Sequence, residues 1–155
     1  MRYWLMKSEP ECFSLEDLVN APEQTTPWDG VRNYQARNFM RDEMRPGDKV
    51  LFYHSGKNPA IAGLAEVSRE AYPDHTAWDP ENNHFDPRST PEAPRWFMVD
   101  VKYIRTFSSP LPLAYLKTVP ELQDMALLRK GNRLSVQPVT ENEFNVIMTL
   151  AEMKS

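Results

Sequence analysis

Hydrophobic and polar positions along this 155-residue chain change period several times, and each change marks an element. Tyr3-Trp4-Leu5-Met6 is an unbroken apolar, β-prone run. It predicts a buried strand that ends in the polar stretch Lys7-Ser8-Glu9-Pro10. Ser14 to Leu18 reads as a short helix with Ser14 as its cap. Residues 20–27 form a polar loop. In the stretch 28–41, Asp29-Gly30 signals a turn and Asn33 is placed to cap a helix. Ala36, Phe39, Met40 and Met44 then recur at helical spacing, until Met44-Arg45-Pro46-Gly47 stops the helix. Lys49 to His54 and Ala60 to Val67 read as two strands joined into a hairpin by Ser55 to Pro59. Gly63 marks a bulge or a close backbone approach.

The second half is less even. Residues 72–95 are rich in Asp, Asn, Pro and Glu and read as one long loop, of the kind that is functional or mobile. In Trp96 to Ile104, Phe97, Val99, Val101 and Tyr103 alternate strictly and share a strand face. Leu111 to Leu128 reads as short helical pieces broken at Pro112 and Pro120. Arg129 to Arg133 is a basic turn and Leu134 to Gln137 a last strand. Thr140 with Glu143 forms a capping box for a final helix whose apolar face is Phe144, Ile147, Met148 and Ala151. Strands and short helices alternate without a regular βαβ period. The fold class expected is α+β: a strongly curved mixed sheet or small β-barrel flanked by short helices, in a single domain over 1–155.

Composition narrows the partners. The net charge is -4, so a nucleic-acid site must be a local patch. The single cysteine, Cys12, excludes an intrachain disulfide and a cysteine-based zinc site, and is expected as a small buried thiol. No stretch is long and apolar enough for a signal peptide or a membrane span, which gives the expectation of a cytoplasmic protein without a membrane partner. A monomer is expected.

The stretch from Trp28 to Arg41 gathers an aromatic ring, an amide and three guanidinium groups near one helix start, a set that suits a flat ligand carrying negative charge. The alternative is a core helix with solvated arginines. A flipped base needs a flat wall, for which Trp28 is the first candidate, with Tyr53, Tyr34 and Trp78 as opposite walls. Base edges need fixed donors and acceptors, for which Asn33, Ser8, His54 and Ser55 are candidates. Phosphates need cations, for which Lys7, Arg32, Arg37, Lys130 and Arg133 are candidates. Against these stand a core role for Trp28, a plain helix cap for Asn33 and solvated surface charge for each cation. His54-Ser55-Gly56 lacks the glycines of a nucleophile elbow, and no phosphate-cradling glycine loop is present. Asp74, His75, Asp79, His84 and Asp86 match no metal-ligand spacing. No catalytic residue, metal or cofactor is expected. The functions left beside nucleobase binding are a protein-interaction module built on the 72–95 loop and a nucleotide-processing enzyme.

Five blocks also resemble one family. They are Tyr3-Trp4-Leu5-Met6-Lys7-Ser8-Glu9-Pro10, then Trp28-Asp29-Gly30-Val31-Arg32-Asn33-Tyr34-Gln35-Ala36-Arg37-Asn38, then Gly47-Asp48 with Phe52-Tyr53-His54-Ser55. Gly63 with Tyr72-Pro73-Asp74 follows, and Arg133-Leu134-Ser135-Val136-Gln137-Pro138 closes the series. In this order they resemble the EVE domain and cover nearly the whole chain; residues 79–95 carry no matching motif. The resemblance implies a PUA-like fold related to the YTH domains that read methylated adenine in RNA. It also implies non-enzymatic binding of one modified base, such as 5-methylcytosine or 5-hydroxymethylcytosine in DNA, or a modified base in RNA.

Overall fold

The apolar run at the start of the chain becomes an interior strand. In the computed structural model, which describes residues 1–153, β1 (Tyr3–Ser8) pairs in parallel with β3 (Lys49–His54) and antiparallel with β6 (Val136–Val139). β4 (Ala60–Pro73) returns antiparallel to β3, β5 (Phe97–Pro112) to β4, and β2 (Thr25–Pro27) to β5. The order is β2-β5-β4-β3-β1-β6.

Both faces of this sheet are buried, which is why β1 and β3 read as continuous apolar runs instead of alternating ones. Trp4, Met6, Val50 and Phe52 point to one core, closed by Leu15, Leu18, Trp28, Ala36, Met40 and Met44. Leu5, Leu51, Tyr53 and Ile61 point to the other, closed by Leu116, Leu122, Phe144 and Ile147. Four short helices supply part of these covers, α1 (Leu15–Val19), α2 (Tyr34–Asn38), α3 (Leu113–Leu116) and α4 (Glu141–Met153), and the turns between elements supply Trp28, Met40, Met44 and Leu122. Ser14 caps α1 in a reciprocal box with Asp17. Thr140 and Glu143 exchange the same pair of bonds at the head of α4, at 3.0 and 3.1 Å.

Several expectations change. The sheet is slightly curled and open, not a barrel, with β2 and β6 as its edges. The loop at 20–27 contains a 3-10 turn, Pro22–Gln24, and the edge strand β2. β4 and β5 run well past Val67 and Ile104, and their shared ladder absorbs the extra length through register shifts. The last strand begins at Val136, because its ladder to β1 opens at Met6. After α2 the chain widens into a π-helical turn, Phe39–Glu43, closed by the Met44 N–H on the Phe39 carbonyl at 2.9 Å. The stretch after β4 is tied down: Asp74 and Thr76, buried at the head of a 3-10 turn at His75–Trp78, are followed by turns in which Asp86 and Ser89 are buried. Cys12 is exposed, not buried.

Gly63 is the close approach anticipated from its place in a strand. A Cβ there would lie 2.5 Å from Leu15 Cδ2 and closer still to the Arg105 carbonyl, across a shift in the β4–β5 register. Gly63→Ala is therefore expected to lower stability by about 1–3 kcal/mol through overpacking. Urea denaturation checks this, and a wild-type midpoint would show that β4 and β5 can separate without cost.

Candidate nucleic-acid interface

The turn after β2 assembles the site. The Trp28 N–H extends the β2 ladder by donating to the Val99 carbonyl at 2.8 Å. Its ring is 8% exposed and meets Phe52 edge-on, with centroids 5.5 Å apart. Gly30 then takes φ 79°, a left-handed value that glycine adopts without strain. Its N–H donates to Asp74 Oδ2 at 2.8 Å. The space a side chain would fill at Gly30 is taken by the His84 imidazole, 2.6 Å from where a Cβ would stand.

Arg32 locks this arrangement. It donates to the His84 carbonyl at 2.7 and 3.0 Å, to Asp74 Oδ2 at 3.1 Å and to the Thr76 hydroxyl at 3.3 Å. The Asp74 side chain has no exposed surface. Burial alone would raise its carboxyl, but hydrogen bonds from Thr76, Gly30 and Arg32 outweigh that and hold it below the usual carboxylate range. Asp86 is held low chiefly by the indole N–H of Trp96, at 2.7 Å, with help from Arg88. The carboxylates considered as metal ligands thus face N–H and O–H donors.

Between these parts lies a cleft of about 320 Å³, within the range of small-ligand sites. Lys7 and Ser8 at the end of β1 form one side, with Cys12 and Phe13 beyond them; Thr26, Pro27, Trp28 and Asp29 form the other, and His84 closes one end. Lys7 is half-buried, with Nζ 5.7 Å from the centre of the Tyr53 ring, and burial pushes its ammonium down. The Ser8 hydroxyl donates to the Phe13 carbonyl at 2.6 Å. Asp29 is exposed on the rim, and the buried His84 Nδ1 has no partner.

Of the residues singled out in the sequence, the cleft brings together Trp28, Ser8 and Lys7. Tyr53 packs into the core on the opposite face of the sheet. His54 Nε2 accepts from the Leu15 N–H at 3.0 Å and so supports the head of α1, and burial pushes its imidazole down. The Ser55 N–H donates to the Ser8 carbonyl beside the cleft. Trp78 lies half-buried in the turn after β4, its indole N–H without a partner. Asn33 is exposed and its Oδ1 accepts from the Ala36 N–H at 3.0 Å, so it caps α2. Tyr34 stands outside the cleft, stacked on Trp96. Arg32 and Arg37 are engaged by protein acceptors, Arg37 by the Asn38 side chain and the Arg95 carbonyl. Lys130 and Arg133 are exposed, without a partner among the described residues. They precede Ser135, whose carbonyl accepts from the Lys7 N–H at 2.8 Å, so their loop borders the Lys7 side of the cleft. Sequence reasoning gave Asp29 no role of its own and weighed His84 only as a metal ligand. Two bonds from Arg32 to its carbonyl, 52 residues away, and packing of its ring on Gly30 bring His84 to the site.

An open mixed sheet covered by short helices on both faces, with a base-sized cleft at the end of β1, defines a PUA-like domain. This chain belongs to the EVE domain family, whose match spans residues 2–150. It is 47% identical to human thymocyte nuclear protein 1 over 168 residues, covering 97% of this chain and 74% of that one. A hypothetical protein from Leishmania major superposes with a TM-score of 0.93 at 52% identity, covering 99% of this chain and 96% of its own. Human THYN1, crystallised in complex with DNA containing 5-methylcytosine, superposes with a TM-score of 0.92 at 47% identity, covering 98% of each chain. The expectation of a cytoplasmic protein is corrected by these relatives, which carry a nuclear name in human, mouse, zebrafish, rat and chicken. That expectation rested on the lack of a leader or span, which does not separate cytoplasm from nucleus. No helix among the described residues is long and apolar enough to cross a membrane.

Because the folded state holds the Asp74 carboxyl low, its contribution is present above the unfolded carboxylate value of about 3.9 and is lost as pH falls through the folded value. Asp74→Asn is expected to cost about 3 kcal/mol at neutral pH, since it leaves Arg32 facing a neutral amide inside the protein. It is also expected to flatten the acid limb of the stability profile. Thermal melting of both proteins from pH 7 to pH 3 measures the two effects together.

Proposed function

We propose that this chain binds a modified cytosine, 5-methylcytosine first, in DNA, by taking the base out of its stack into the cleft. The observation that carries the reading is the cleft itself, one-base-sized and walled by Trp28, in a fold that superposes over 98% of both chains on a protein crystallised with DNA containing that base. The Trp28 ring supplies the stacking surface that replaces the lost neighbours. The exposed Asp29 carboxylate accepts from the exocyclic amine of cytosine, a group thymine lacks. The Ser8 hydroxyl meets the remaining edge, and the His84 ring closes the cleft beside it. Lys7, Lys130 and Arg133 receive backbone phosphates. Recognition needs no bond to break, so the domain acts as a reader and not as an enzyme.

Fluorescence anisotropy with oligonucleotides that differ only in one base tests the reading, at fixed salt, in single- and double-stranded DNA and in RNA. The modified cytosines in DNA are expected to bind tightest. An equal affinity for modified and plain cytosine in every context overturns the reading, and a preference confined to RNA reassigns the polymer. Trp28→Ala is expected to weaken binding of every base that enters by about 1–3 kcal/mol, with melting curves run alongside because the ring also closes a core. Asp29→Asn is expected to erode the preference for cytosine over thymine while leaving background binding in place.

The cations separate by salt dependence. Lys130→Ala and Arg133→Ala are each expected to reduce the slope of log K against log salt by about one unit for every phosphate the variant no longer neutralises. Arg32→Ala is instead expected to lower the melting temperature, because its guanidinium is bound to the buried Asp74. An unchanged slope in both surface variants removes them from the DNA-facing surface.

A further inference from the structure

Six residues after Trp28 the chain presents a second aromatic surface that the cleft does not use. Tyr34 opens α2 and is 47% exposed, although one face of its ring lies on Trp96, with centroids 4.8 Å apart and planes 22° apart. Trp96 beneath it is buried and anchored through its indole N–H to Asp86 at 2.7 Å. Arg37 lies 4.8 Å from the Tyr34 centroid and 6.0 Å from that of Trp96. Those two distances and the stacking distance close a triangle that puts Arg37 beside the stack, not beyond Tyr34. The outer face of Tyr34 is therefore left to solvent. Arg95 donates to the Tyr34 hydroxyl at 3.4 Å, and Arg41 stands 5.9 Å from the neighbouring Phe97 ring. Burial, and then the nearby positive charge of Arg41, push the Arg37 guanidinium down, as expected where cations crowd on an otherwise acidic chain.

The stack is joined to the cleft. Arg32, which holds the carbonyl of His84 at the end of the cleft, lies 5.5 Å from the centre of the Trp96 ring. One guanidinium thus links the cleft wall to the base of the platform. Asn33, which caps α2, fixes the position of Tyr34.

From this geometry we infer that the outer face of Tyr34 is a second nucleobase subsite, which stacks the base left exposed next to the target when the target enters the cleft. Arg95 flanks that base and meets its phosphates, while Arg37, held by the Asn38 side chain and the Arg95 carbonyl, adds positive charge beside it. The aromatic ring is oriented before binding, so stacking costs little ordering, and a π-face accepts any base. The inference rests on the base-flipping reading above and assigns Tyr34 a role distinct from that of the cleft: affinity without selectivity.

The test uses the full chain and DNA oligonucleotides with 5-methylcytosine at one position and 2-aminopurine immediately beside it. Anisotropy reads affinity, and 2-aminopurine fluorescence reads stacking of the neighbouring base. With the wild-type protein the fluorescence is expected to fall on binding. Tyr34→Ala and Tyr34→Leu are expected to lose that change and to bind about ten-fold more weakly, while keeping the wild-type ratio between modified and plain cytosine. Tyr34→Phe is expected to behave as wild type. The leucine variant keeps Trp96 covered, so a melting temperature near wild type separates lost stacking from lost structure. Wild-type affinity and fluorescence in Tyr34→Leu overturn the inference, as does loss of the modified-to-plain ratio in that variant with the fluorescence change intact. If the wild type shows the fluorescence change but no preference for the modified base, the subsite stands and the modified-base reading fails.

Discussion

A carboxylate with no exposed surface, Asp74, is the group on which the interface depends. A charge in that position is tolerated only when it is fully paired, and the pairing here is structural information. Its partners are the Gly30 amide, the Arg32 guanidinium and Thr76, contributed by the turn after β2 and the turn after β4. Satisfying one buried ion therefore docks two loops that are more than forty residues apart in sequence. Arg32 extends the same knot to the His84 carbonyl. The cleft, its closing histidine and the Trp96 platform are all placed by bonds within two steps of that carboxylate.

The division of labour around Arg32 and Asn33 follows. Both belong to the stretch that most resembles a ligand-binding segment, yet the Arg32 guanidinium and the Asn33 Oδ1 are engaged by the protein. Arg32 reaches a backbone carbonyl, a carboxylate and a hydroxyl; Asn33 accepts from the amide three residues on. These two side chains hold the walls in place. The groups left to face a ligand are Lys7, Ser8 and the exposed Asp29 carboxylate at the cleft, the cations of the neighbouring 130–133 loop, and the exposed side of Tyr34.

Much of the fold was legible because its signals are local. The Ser14 and Thr140 caps, the Asn33 cap and the strand character of β1 and β3 each depend on residues within a few positions of one another. The proline-broken helical pieces after β5 are equally local. Of the cleft lining, Trp28, Ser8 and Lys7 were singled out from residue type and from the family resemblance. The 72–95 stretch was not, since its composition is that of a loose loop while Asp74, Thr76, Asp86 and Ser89 are buried by long-range bonds. Whether the sheet closes was equally out of reach. Alternation tells which side chains face inward, but closure depends on which strands stand at the edges, and β2 is only three residues long.

The position of β1 bears on how the chain is made. This strand precedes all the others in sequence, yet one of its two neighbours, β6, begins only at Val136. Until β6 is made, β1 can pair only with β3 and keeps one open edge, the kind of surface that recruits other chains. One of its apolar faces waits as well, since α4, which helps to cover it, follows β6 in sequence. Completing the sheet thus depends on a pairing between residues far apart in sequence, the kind of contact that forms slowly.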